Sequence, residues 1–224
     1  MKKKSLILLF VAGYCSLIYG QHRDPDFEYI HEVIPGIQYD IRYYKTDNFM
    51  GTRVDGYKNP VALLTREAVT ALKKVQENLK KQGHGLKVFD AYRPQKAVDH
   101  FIRWANVIED TLTKSKYYPD VNKKDLFELG YIAEKSGHTR GSTLDLTIID
   151  LATKKELDMG SPWDFFGDIS HHGTLLISKQ QTANRNMLLQ VMKKHGFKPY
   201  SNEWWHYTLE NEPFPVSYFN FDIQ

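Results

Sequence analysis

Residues 142–151, STLDLTIIDL, are rich in β-branched and aliphatic side chains and read as a strand, yet they carry a carboxylate in mid-run. Alternation puts Leu144, Leu146 and Ile148 on one face and Asp145 and Thr147 on the other. A charge there is tolerated only where that face meets water or a partner. The residues just before, SGHTRG, form a glycine-containing turn able to fold His138 back over Asp145. A second strand, EWWHYTL (203–209), places Trp205, Tyr207 and Leu209 on one face and His206 opposite. With both apolar faces packed against helices, Asp145 and His206 project from the other side of the sheet.

Helical periodicity supplies the packing partners. Thr65 can cap a helix in which Val69, Leu72, Val75 and Leu79 recur at helical spacing, stopping at Gly83. Pro94 opens a second, with Ala97, Val98, Phe101, Trp104, Ala105 and Ile108 on one face. Ser178 opens a third, with Leu188, Val191 and Met192 inward and Gly196 at its end. A weaker window covers Lys123–Glu134. LKVFDAY (86–92) adds a further strand, and the elements do not alternate strictly as β-α-β. The expectation is an α+β fold, a mainly antiparallel sheet with flanking helices. No repeat or linker interrupts residues 21–224, which read as one domain.

The first twenty residues stand apart. MKKKSLILLFVAGYCSLIYG has three lysines, a short apolar run and a small residue at its end, the layout of a secretory signal cleaved after Gly20. Its run is short for a bilayer span. Setting those three lysines aside from the 30 basic residues leaves 27 against 27 acidic ones. No excess charge remains to argue for a nucleic-acid partner. The single cysteine, Cys15, lies in the same segment, so residues 21–224 carry no disulfide and no thiolate chemistry. The expectation is an exported protein, periplasmic or extracellular, that touches a membrane only in transit.

His138, Asp145 and His206 together suit a zinc ion: three ligands, one of them anionic, with a fourth position left for water or substrate. Glu203, three residues before His206, is then placed to act as a general base on that water. The same residues also fit a plainer reading, in which His138 caps a turn, Asp145 is solvated and EWWHY is an aromatic core strand.

SGHTRGSTLD resembles the SxHxxGxAxD motif of D-alanyl-D-alanine metallopeptidases, and EWWHY resembles their second, ExxWH-type motif. KTDNFMGTRVDGY (45–57), FDAYRP (89–94), LDMGSPWDFF (157–166), SHH (170–172) and FPVSYF (214–219) are similar to the VanX-type D-Ala-D-Ala dipeptidases in matching order. Thr143 departs from the alanine frequent in the first motif. The resemblance implies the LAS, or hedgehog-type, zinc peptidase fold. It also implies one zinc ion per chain on His138, Asp145 and His206, Glu203 as catalytic base, and Arg93 as the cation facing the transition-state oxyanion. It assigns Asp164, with Tyr43 beside it, to the ammonium of a free dipeptide and Ser136 to its carboxylate. His171 or His172 is at most a support behind the ligands.

The activity implied is hydrolysis of D-alanyl-D-alanine to two D-alanines, in cell-wall turnover, D-alanine salvage or glycopeptide resistance. The alternative is a D,D-carboxypeptidase acting on longer peptidoglycan peptides. Asp164 separates the two, because an acylated substrate brings no ammonium to it and leaves a carboxylate buried without its partner. A module that only binds cell-wall peptide needs neither Glu203 nor Arg93.

Overall fold

The computed structural model describes Asp24 and residues 26–224; the signal segment read at residues 1–20 lies outside the described residues. Seven strands occur in chain order: β1 (Phe27–Tyr29), β2 (Gln38–Tyr39), β3 (Leu63–Thr65), β4 (His84–Asp90), β5 (Thr143–Asp150), β6 (Phe197–Tyr200) and β7 (Glu203–Leu209). Five of them form one sheet in the order β2-β4-β5-β7-β6, while β1 and β3 pair as a separate antiparallel ribbon. Within the large sheet only β2 and β4 run parallel; the other three pairings are antiparallel. The helices are α1 (Ile30–Val33), α2 (Arg66–Lys80), α3 (Gln95–Asn106), α4 (Lys114–Tyr117) and α5 (Lys179–Lys194). The α+β expectation holds.

The three long helices form where the apolar spacing placed them, except that α3 ends at Asn106 and leaves Ile108, expected on its apolar face, outside the helix and exposed. α2 buries Val69, Leu72, Val75 and Leu79 and packs on β3, β4 and α5. α5 begins with a full capping box, in which the Gln181 amide donates to Ser178 Oγ at 3.2 Å and the Ser178 amide donates to Gln181 Oε1 at 2.7 Å. Thr65 precedes α2 but does not cap it; its hydroxyl bonds Ser142 Oγ at 2.8 Å and ties β3 to the start of β5.

A further expectation is corrected. No α-helix spans Lys123–Glu134: a 3-10 turn covers Lys123–Asp125, and Gly130 then takes φ +78 as the chain reverses. Lys123 is buried there because its ammonium binds the carbonyls of Val107 (2.7 Å) and Asp110 (2.8 Å) and lies over the Trp104 ring. In β5 the structure decides against the plainer reading, in which Asp145 is solvated. Thr143 through Ile149 are all buried, so the face carrying Asp145 is covered and not open to water. Trp163, which stacks on Phe89, supplies part of that cover and donates to Asp145.

Candidate metal centre and its cleft

The register of the two central strands decides the site. Asp145 of β5 sits directly opposite His206 of β7 and, on the other side, opposite Asp90 of β4. Directly paired residues point to the same face of an antiparallel sheet, so three ionisable side chains converge. His138 reaches them from the 3-10 turn Gly137–Arg140, which ends on Gly141 at φ +82. Any side chain at 141 is excluded: a Cβ there lies 2.3 Å from Phe27 Cε1. The turn is held in place by the main chain. The His138 amide donates to Ser136 Oγ at 3.3 Å, and the His138 carbonyl accepts from the Arg93 amide at 3.3 Å. The Phe219 amide donates to the Thr139 carbonyl while the Gln95 amide donates to the Phe219 carbonyl, both at 3.0 Å. The C-terminal FPVSYF segment therefore braces the ligand turn against the Arg93 segment.

His138 Nε2, His206 Nδ1 and Asp145 Oδ1 stand 3.3 Å from one another on all three sides. Ligands about 2.0–2.1 Å from a tetrahedral zinc are separated by about 3.3–3.4 Å, so this triangle has the dimensions of one tetrahedral face. Two further observations fit a cation. Asp145 Oδ1 is buried without a hydrogen-bond partner, whereas its Oδ2 accepts from Trp163 Nε1 at 3.2 Å. His138 Nδ1 pairs with the Ala91 carbonyl at 2.7 Å, which fixes the tautomer that leaves Nε2 free to ligate. Among the described residues these three form the one cluster with metal-ligand geometry. His171 and His172 are not part of it; His171 Nε2 pairs instead with Tyr131 Oη at 3.4 Å.

The electrostatics follow from this crowding. Burial opposes the Asp145 charge, but His138 and His206 outweigh it and hold the carboxyl well below its ordinary range. Glu203 lies beside the triangle, with Oε2 3.2 Å from His206 Nδ1. Arg93 Nε and Nη2 each lie 2.9 Å from Asp90 Oδ2, and Nη2 is 3.8 Å from Asp145 Oδ2. Asp90 also accepts from Tyr57 Oη at 2.7 Å. Its charge thus fixes the guanidinium against the ligand cluster, with the Tyr43 ring 5.1 Å beneath it.

A cavity of about 330 Å³ opens over these groups. Seven of the eight site residues read from the sequence line it: Tyr43, Arg93, Ser136, Asp145, Asp164, Glu203 and His206. The eighth, His138, is buried behind them. Asp164 sits in the left-handed region at φ +61, an uncommon conformation for a residue with a side chain, and accepts from Tyr43 Oη at 2.7 Å. Burial, reinforced by Asp145, raises its pKa well above the carboxylate norm. Sequence reasoning missed Asp90, Tyr57 and Trp163. A signal existed for two of them: Asp90 and Arg93 are an acid–base pair three residues apart in FDAYRP, and Trp163 adjoins Asp164.

The chain is 43% identical over 197 residues to a D-alanyl-D-alanine dipeptidase of Enterococcus faecalis (strain ATCC 700802 / V583), covering 88% of this chain and 98% of that one. It is 42% identical over 198 residues, with the same coverage, to a D-alanyl-D-alanine dipeptidase of Streptomyces coelicolor (strain ATCC BAA-471 / A3(2) / M145). A vancomycin resistance D,D-pentapeptidase, solved in complex with Zn(II), is a loose structural match: TM-score 0.42 and 13% identity, over 70% of this chain and 78% of that one. The family model described as D-ala-D-ala dipeptidase matches residues 23–224, and with relatives above 40% identity over nearly their whole length the chain belongs to that family of metallopeptidases.

Proposed function

We infer that this protein hydrolyses D-alanyl-D-alanine to two D-alanines with one zinc ion per chain, held by His138, Asp145 and His206. The observation that carries this reading is the 3.3 Å ligand triangle with Glu203 at its edge. When bound, zinc supplies Lewis acidity that makes water nucleophilic near neutral pH. Glu203 takes the proton from the attacking water and returns it to the leaving amine. Arg93, fixed by Asp90, stabilises the charge that develops on the carbonyl oxygen. Asp164, supported by Tyr43, receives the substrate ammonium, and its burial makes an unpaired carboxylate there costly. Ser136, in the lining of the cavity, meets the substrate carboxylate.

The test is D-alanine release from D-Ala-D-Ala by residues 21–224, with and without chelator, beside N-acetyl-D-Ala-D-Ala. Chelator-sensitive cleavage of the free dipeptide, with the acetylated one spared, is expected. Efficient cleavage of the acetylated substrate points to the carboxypeptidase alternative, and activity that survives full metal removal rules out the mechanism. The lysine-led apolar segment at residues 1–20 supports export, hence salvage or wall turnover outside the cytoplasm over removal of a cytoplasmic precursor. Finding the chain in the cytoplasm with residues 1–20 attached overturns that placement.

A further inference from the structure

Arg185, on α5, is 4% exposed, and its donors go to backbone carbonyls and a hydroxyl in place of a carboxylate. Nε donates to the Met159 carbonyl at 2.6 Å and Nη1 to the His171 carbonyl at 3.1 Å. Nη2 donates to the Ile169 carbonyl at 2.9 Å and to Ser161 Oγ at 3.4 Å. One guanidinium thus spans both feet of the segment 159–171. The planar fork is suited to this, since its five fixed donors can satisfy several carbonyls at once where an ammonium cannot match the geometry. Burial lowers its pKa only to about 10, so it stays charged at neutral pH.

The middle of that segment carries the groups nearest the chemistry. Trp163 Nε1 donates to Asp145 Oδ2 at 3.2 Å, and Asp164 holds φ +61 with Tyr43 donating to it. The loop is also closed from within: Ser170 Oγ donates to the Phe165 carbonyl at 2.6 Å, and Ser161 Oγ bonds Ser170 Oγ at 3.0 Å. A residue held at positive φ persists only where its surroundings enforce it. Tyr43 on Asp164 and the Phe166 amide on the Tyr117 carbonyl at 2.7 Å hold the middle of the loop, and Arg185 holds both of its feet.

We propose that Arg185 is the positioning residue for substrate selection: by clamping both feet of the 159–171 loop it sets Asp164 where a free ammonium, and not an acylated nitrogen, fits. This rests on the reading of Asp164 as the ammonium receptor. The test compares Arg185→Lys, Ser170→Ala and Asp164→Asn in the zinc-loaded enzyme, by KM and kcat for D-Ala-D-Ala, the selectivity over N-acetyl-D-Ala-D-Ala, and zinc content.

Arg185→Lys keeps the charge and loses the fork. It should raise KM roughly tenfold or more while kcat falls less, because misplacement of a binding group by about 1 Å costs orders of magnitude. Selectivity for the free dipeptide should fall with it, and zinc content should stay at the wild-type value. In the Asp164→Asn background the same change should add little, since both act through one contact. Ser170→Ala should shift KM in the same direction by less, and it decides the matter if Arg185→Lys does not fold. A purely structural arginine lowers Tm without moving KM of the folded enzyme. Wild-type KM and selectivity in Arg185→Lys, with both altered in Asp164→Asn, overturns the clamp alone. Wild-type behaviour of Asp164→Asn overturns the ammonium reading and the clamp with it.

Discussion

His206 Nδ1 lies 3.3 Å from Asp145 Oδ1 and 3.2 Å from Glu203 Oε2. Burial opposes a charge on its ring, but the two carboxylates beside it prevail and raise the pKa to about 9. Zinc binds the neutral imidazole, so the metal must displace this proton. At pH 7, below that value, most molecules carry the proton, and displacing it weakens apparent zinc affinity by an order of magnitude or more. Asp145 contributes no slope, because its lowered pKa keeps it anionic throughout this range. Apparent affinity should therefore climb about tenfold per pH unit up to about 9 and flatten above it. Close to one proton should leave per zinc bound at pH 7.

Calorimetric zinc titration of the apoprotein in buffers of differing ionisation enthalpy, at pH 6, 7 and 8, reads both quantities. Glu203→Gln sharpens the expectation, since it removes one of the two anions that hold the proton. Proton release at pH 7 should fall and zinc should bind roughly three- to tenfold more tightly, while turnover drops at least 100-fold. An affinity independent of pH between 6 and 8, or no proton released at pH 7, refutes the reasoning.

Asp164→Asn should raise KM for D-Ala-D-Ala roughly 30-fold or more, as loss of a buried charge pair costs 2 kcal/mol upward, and should leave N-acetyl-D-Ala-D-Ala unaffected; equal losses for both substrates in steady-state kinetics contradict the assignment. Trp163→Phe removes the donor to Asp145 Oδ2 and should weaken zinc roughly tenfold in a chelator competition; unchanged affinity means the indole does not orient the ligand. Gly141→Ala brings a Cβ to 2.3 Å from the Phe27 ring at φ +82 and should cost about 2 kcal/mol or more in urea unfolding. A wild-type urea midpoint refutes that account of the turn.

The long helices were legible because burial of one face imposes a period on the sequence: the inward residues foreseen for α2 and α5 are buried. The segment 123–134 misled for a physical reason. Of its apolar residues only Leu126 and Ile132 are buried while Phe127 and Leu129 are exposed, and the carbonyls after α3 are satisfied by the Lys123 ammonium, a partner that no local spacing announces. Thr65 misled similarly: a cap-forming residue in a cap position spends its hydroxyl on Ser142, 77 residues away.

At the site, alternation correctly put Asp145 and His206 on one face, and the observed register sets them directly opposite. What alternation could not say is that both faces of β5 are covered. Sheet order lies outside any single strand's pattern, and Trp163 arrives over Asp145 from a loop with no period at all. The plain reading of EWWHY as an aromatic core strand is also true, since Trp204, Trp205 and Tyr207 are all buried. The two readings do not compete: a buried aromatic strand is what keeps water from the sides of the histidine it carries. That cover strengthens each charge–charge contact around the ligand triangle, because the same separation in a low dielectric is worth more than in water. The carboxylate that made STLDLTIIDL look awkward as a strand is therefore most useful where it is most costly to bury, with one oxygen committed to Trp163 and the other left for a cation.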